Sequence, residues 1–76
     1  MIYQYKTSYC TFLLKQLSGG EWGIFIGGDF CLTACRTIKA AIDDINCGVT
    51  GCEEWDEGGY LEEQVPDAIE EWERIG

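Results

Sequence analysis

Residues 22–45 read WGIFIGGDFCLTACRTIKAAIDDI, and within them the spacing of apolar side chains changes from every second residue to every third or fourth. Trp22, Ile24 and Ile26 alternate with Gly23 and Phe25, which puts them on one face of an extended strand. Gly27 and Gly28 tolerate positive φ, so a turn there leads into a short strand, FCL over residues 30–32. From Thr33 the period is helical. Thr33 is expected to cap a helix in which Ala34, Ile38, Ala41, Ile42 and Ile45 share one side, with Arg36, Lys39, Asp43 and Asp44 on the other. That helix should stop between Asn46 and Gly48, Gly48 taking the left-handed conformation that ends many helices.

Upstream, residues 2–17, IYQYKTSYCTFLLKQL, are rich in aromatic and β-favouring side chains and are expected to form a first strand, bent near Thr7 and Ser8. The glycines of SGGE turn it back into the Trp22 strand. Downstream, CGVTGCEEWDEGGY has no period and reads as an irregular connection. A closing helix is expected from Pro66, because Val65, Ala68, Ile69, Trp72 and Ile75 project within an arc of about 120° at helical spacing, opposite Asp67, Glu70 and Glu71. The predicted fold is α+β: a three-stranded antiparallel sheet, one packed helix and a short acidic C-terminal helix. At 76 residues the chain makes one small domain, 1–76, with sheet and helix in 1–48 and the acidic loop and C-terminal helix in 49–76.

Charge divides the chain at nearly the same place. The formal net charge is −9, yet residues 1–52 balance four acids (Glu21, Asp29, Asp43, Asp44) with Lys6, Lys15, Arg36 and Lys39. The last third holds ten carboxylates against Arg74 alone. With 46 % apolar residues the chain is too hydrophobic for general disorder. The charge argues against direct binding to nucleic acid or to an anionic membrane, since phosphate contacts need Lys and Arg. No apolar run reaches the roughly 20 residues of a membrane span. TFLLKQL is interrupted by Lys15 and lacks a basic leader and a small-residue cleavage site, so a cytoplasmic protein is expected.

The acids invite two explanations. They are solvated faces that keep a small domain soluble, or they complement a basic groove on a partner. Like charges one helical turn apart oppose helix formation by a few tenths of a kcal/mol per pair, and solubility does not require such density in one region. Carboxylates spaced by a turn, roughly 5–6 Å apart, match the spacing of neighbouring phosphates. The candidate partner-binding residues are therefore Glu53, Glu54, Asp56, Glu57, Glu62, Glu63, Asp67, Glu70 and Glu71, with Trp55 and Tyr60 as aromatic anchors among them. A calcium loop fits poorly, because Trp55 and Tyr60 break the alternate-ligand register.

The cysteines have three readings: buried thiols, a disulfide between Cys47 and Cys52, or a zinc site formed by Cys31, Cys35, Cys47 and Cys52. Neither a metal nor any other cofactor is required. No histidine is present, which removes the commonest general base and the serine and cysteine triads, and the only serines, Ser8 and Ser18, have no adjacent base. GGEWG and GGD lack the Gly-Lys-Ser/Thr of a phosphate loop. An enzyme is not expected.

Residues 5–45, carrying Tyr9, Gly19, Gly20, Trp22, Gly28 and the helix IKAAIDDI, resemble small phage and prophage proteins of strand, strand, strand, helix pattern, a group that includes proteins similar to anti-CRISPR inhibitors. The resemblance implies a phage setting and three strands followed by a helix; it does not extend to the acidic third. Together with the charge it leads to the expectation of a non-catalytic inhibitor. Its acidic, nucleic-acid-mimicking surface would cover a basic nucleic-acid-binding site on a host CRISPR effector or restriction enzyme. The alternative is an assembly module that self-associates, as a homodimer or larger, through Tyr3, Tyr5, Trp55 and Tyr60, the acids serving solubility only.

Overall fold

A computed structural model describes residues 1–76, the side chain of Leu32 excepted. The architecture is α+β, with an antiparallel sheet of five strands in the order β4-β3-β2-β1-β5. These are β1 (Ile2–Lys6), β2 (Thr11–Gln16), β3 (Trp22–Ile26), β4 (Asp29–Cys35) and β5 (Glu73–Arg74), with α1 (Ile38–Cys47) between β4 and the acidic third. The acidic third contains a π turn, Trp55–Gly59, that runs into α2 (Tyr60–Glu62), and a 3-10 turn, Ile69–Glu71.

The sheet has five strands, not the three expected, and the start of the helix also differs from expectation. The segment expected as one bent strand is two, β1 and β2, because Thr7 reverses the chain: its Oγ1 accepts from the backbone N–H groups of Tyr9 (3.1 Å) and Cys10 (3.0 Å) while its own N–H donates to the Cys10 carbonyl at 2.8 Å. The strand expected at 30–32 runs on to Cys35, since Ala34 and Cys35 still pair with Gly23 and Trp22 beyond a register shift in which β4 carries the extra residues opposite Ile24. The helix therefore begins later than Thr33. Thr37 is the cap, its Oγ1 accepting from the Ala40 N–H at 3.1 Å, whereas the Thr33 hydroxyl donates to the Thr50 carbonyl. The end of α1 is as expected: Gly48 has φ +70° and its N–H returns to the last turn.

The C-terminal helix expected from Pro66 does not form. Trp72 lies in the core and donates its indole N–H to the Pro66 carbonyl at 3.0 Å, which curls residues 66–72 into a loop closed by the 3-10 turn. Glu73 and Arg74 then pair with Gln4 and Tyr3 as the fifth strand. The backbone bonds Ile75 N–H to Ile2 O (2.8 Å) and Ile2 N–H to Gly76 O (3.0 Å) extend that pairing. Repulsion among Asp67, Glu70 and Glu71 adds to the cost of a helix there.

One face of the sheet carries the core. Phe12, Leu14, Trp22, Ile24, Cys31 and Cys35 meet Ala41, Ile42 and Ile45 of α1, and Trp55, Val65 and Trp72 close the same core from the acidic third. The other face has no helix over it. The cross-strand row Gln4, Leu13, Phe25 and Phe30 lies there, and Leu17, Phe25 and Phe30 fold over Gly23, where a Cβ would sit 3.0–3.2 Å from their side chains.

Candidate functional site

The acidic third is a strap across the core face, and its own side chains fix its course. Trp55 is 2 % exposed, stacks edge-on against Phe12 at 4.8 Å between centroids, and donates its indole N–H to the Ile45 carbonyl at 2.7 Å. Gly59 lies beneath the same ring, where a Cβ would sit 2.8 Å from it. Tyr60, half-buried, covers Gly48 at the end of α1. The two anchors expected at a partner interface thus turn inward, because an indole of this size is worth more in a small core than at its rim. Tyr3 and Tyr5 likewise pack on Trp22 and Trp72, at 6.1 and 5.6 Å, so of the aromatic set expected to drive self-association Trp55 is buried and the three tyrosines are partly buried.

The carboxylates separate into two groups. Asp56 accepts from Thr50 N–H (3.0 Å), Thr50 Oγ1–H (2.8 Å) and Gly51 N–H (2.8 Å), holding a turn whose threonine is fully buried. Glu63 accepts from the N–H (2.8 Å) and hydroxyl (2.7 Å) of Ser8, tying the strap to the β1–β2 turn. Asp67 receives a long bond, 3.4 Å, from Asn46, whose amide also exchanges two bonds with the Val65 backbone. Glu53, Glu54, Glu57, Glu62, Glu70 and Glu71 are exposed, and none of them accepts a hydrogen bond or meets a cation among the described residues, where the one ion pair is Lys39 with Asp43. Leu61, 72 % exposed, stands between the first three and the last three in sequence.

The exposed aromatic near these acids is Tyr9, missed in the sequence because it sits in a turn 46 residues from Trp55, whose edge it meets at 6.2 Å. It is 51 % exposed. A groove opens beside it between the β3–β4 hairpin and residues 51–54, lined in part by Ile26, Asp29, Cys52 and Glu54.

The cysteines are all free thiols. Cys31 and Cys35 lie on one strand, both buried. Cys47 is exposed at the end of α1. The described residues hold no group of three or more potential metal ligands. Burial pushes the Cys31 thiol up to about 11, with Cys52 and Asp56 adding to it. Burial also raises Cys35 to about 11, helped by the Asp44 carboxylate that accepts its S–H at 3.2 Å. Cys10 is raised by burial as well. Thiols held protonated in this way are poor nucleophiles. Among the described residues, no helix is long and apolar enough to cross a membrane.

In comparisons with family models, curated proteins and solved structures, nothing matches this chain.

Proposed function

We propose that the protein is a non-catalytic inhibitor of phage type that acts in the host cytoplasm. It would bind a defence protein, a CRISPR effector or a restriction enzyme, by laying an acidic surface into a basic nucleic-acid-binding site. The observation that carries this reading is the unpartnered state of Glu53, Glu54, Glu57, Glu62, Glu70 and Glu71 on a strap whose shape is set by other residues. Those six side chains do nothing for the fold, and together they repel one another. A rigid array of negative charge gives fast, steered association with a basic surface, weakened by salt.

The test is affinity capture from nuclease-treated bacterial lysate at physiological salt, beside a variant with Glu53, Glu54, Glu57 and Glu62 all changed to Lys. A nucleic-acid-binding complex held by the parent and lost by the variant supports the reading. The same complex held equally by both refutes the electrostatic mechanism.

A second reading, self-association, draws on a different observation: the helix-free face of the sheet bears Leu13, Leu17, Phe25 and Phe30. Salt separates the two, because apolar association persists or strengthens at high salt where charge-driven binding fades.

A further inference from the structure

We propose that the groove between the β3–β4 hairpin and residues 51–54 seats an arginine side chain of the basic protein partner, a refinement that rests on the function proposed above. The groove has a volume of about 330 Å³, at the small end for ligand sites, and suits one long side chain. Ile26, Asp29 and Phe30 line it from the hairpin, and Cys52 and Glu54 from the strap. A second cavity shares Ile26, Cys52 and Glu54 with it and is walled by Tyr9.

The register explains why these groups converge. Ile26 pairs with Phe12 on one side and Asp29 on the other, so all three point to the core face, but at the end of the sheet where α1 no longer covers it. The strap crosses there instead, held by the Asp56 bonds to Thr50 and Gly51, and it brings Glu54 to the opposite wall. The Asp29 and Glu54 carboxylates are exposed, and among the described residues neither accepts a hydrogen bond or meets a cation. The site therefore offers an apolar floor for a side-chain stem and two unpaired negative charges at its walls, with the exposed Tyr9 ring in the adjoining cavity.

That combination selects guanidinium over ammonium. A guanidinium is planar and weakly hydrated, lies flat on an aromatic face and bridges carboxylates through its fork of donors, whereas an ammonium is a compact, strongly hydrated point charge. Arginine is also a preferred residue for gripping phosphate, so a nucleic-acid-binding partner supplies it.

The experiment is a pair of NMR titrations of the isotope-labelled full chain, one with hexa-arginine and one with hexa-lysine, at equal ionic strength. Hexa-arginine is expected to bind about fivefold tighter or more, moving the amides of Ile26, Gly51 and Cys52. The double variant Asp29→Asn, Glu54→Gln should weaken hexa-arginine about tenfold, to the level of hexa-lysine, while Glu70→Gln with Glu71→Gln changes it less than about twofold. Equal affinity for the two peptides, or shifts spread over residues 53–71 that leave the groove untouched, overturns the proposal. The comparison on the parent protein decides even if the double variant is poorly folded. If the peptides bind equally but the charge-reversed protein still loses its captured complex, the arginine seat falls and the inhibitor stands. If the arginine preference holds and no complex is captured, the seat stands and the inhibitor falls.

Discussion

In residues 1–48, neighbouring elements hold one another through ladder hydrogen bonds and interleaved apolar side chains: β1 to β4 pair in sequence order and α1 lies on their buried face. In residues 49–72, single side chains hold single stretches of backbone, and the chain joins the ladder again only at β5. Asp56 grips Thr50 and Gly51, Asn46 grips Val65, Glu63 grips Ser8, and the indoles of Trp55 and Trp72 grip Ile45 and Pro66. The first region gains stability from many weak and mutually supporting contacts; the second depends on a few bonds, each carrying a whole turn. The strap can therefore leave most of its surface to charges that contribute nothing to folding, provided those few bonds persist.

Removing Trp55 should break this division most severely, because it belongs to both regions. Trp55→Ala leaves a cavity against Phe12 and removes the indole bond to the Ile45 carbonyl, which keeps only the Gly48 N–H at 3.2 Å, and large aromatic truncations of this kind cost about 3–5 kcal/mol. In a domain of ordinary marginal stability that loss should leave a large fraction unfolded at room temperature. Urea denaturation followed by near-ultraviolet circular dichroism measures it. A loss below about 1 kcal/mol would mean that the strap is an appendage to a core complete without it.

Asp56→Ala comes next. It strands three donors, those of Thr50 N–H, Thr50 Oγ1–H and Gly51 N–H, and hydrogen bonds to a charged acceptor are worth about 1.5–3 kcal/mol. A total loss of about 2–3 kcal/mol is expected. Asp56→Asn should recover only part of it, since one amide oxygen cannot replace both the Oδ1 that serves Thr50 and the Oδ2 that serves Gly51. Hydrogen exchange would show where the loss falls: amides of residues 49–64 should lose protection while β1–β4 keep theirs. Uniform loss across the sheet would show that the two regions unfold as one unit.

Alkali should act on the first region and less on the strap. Cys31 and Cys35 have thiols raised from an ordinary value near 9 to about 11, so the folded state keeps protons that the unfolded state gives up between those limits. Their stabilising contribution is complete below pH 9 and is lost as pH rises from 9 through 11. The urea midpoint should fall across that window, and less steeply in a Cys31→Ala, Cys35→Ala variant, which keeps the tyrosines as an internal control. Equal slopes would remove the thiols as the cause.

The contrast between the regions also explains what the sequence could convey. The Trp22–Ile26 alternation, the α1 stripe of Ile38, Ala41, Ile42 and Ile45 and the Gly48 stop are periodic or local signals, and each is found in place. Thr33 misled because two threonines precede the stripe, and pairing of Ala34 and Cys35 with β3 decided between them. The closing segment misled for a stronger reason. Val65, Ile69 and Trp72 do share a helical arc, but the Trp72 indole bonds back to Pro66, six residues away, and the chain end finds an open edge at β1, some 70 positions away. The acidic site was legible as composition and not as geometry. Nothing local distinguishes Asp56, which holds a turn, from Glu57, which holds nothing, and the Asp29–Glu54 groove joins residues 25 apart that share no motif.

The smallest expected effect on stability is the most informative about that distinction. Replacing Glu53, Glu54, Glu57 and Glu62 together by Gln removes four charges and no observed bond. Surface changes of this sort stay within about 0.5 kcal/mol. Here the sign should favour the variant, since like charges a turn apart repel by a few tenths of a kcal/mol per pair. Glu63→Gln removes one charge but loses the charge-assisted bonds to Ser8 N–H and hydroxyl, and should cost about 1 kcal/mol. The single neutralisation should therefore destabilise more than the quadruple one. If the quadruple variant were instead the less stable of the two, the exposed acids would be structural, and their lack of partners could no longer be taken as a sign that they await one.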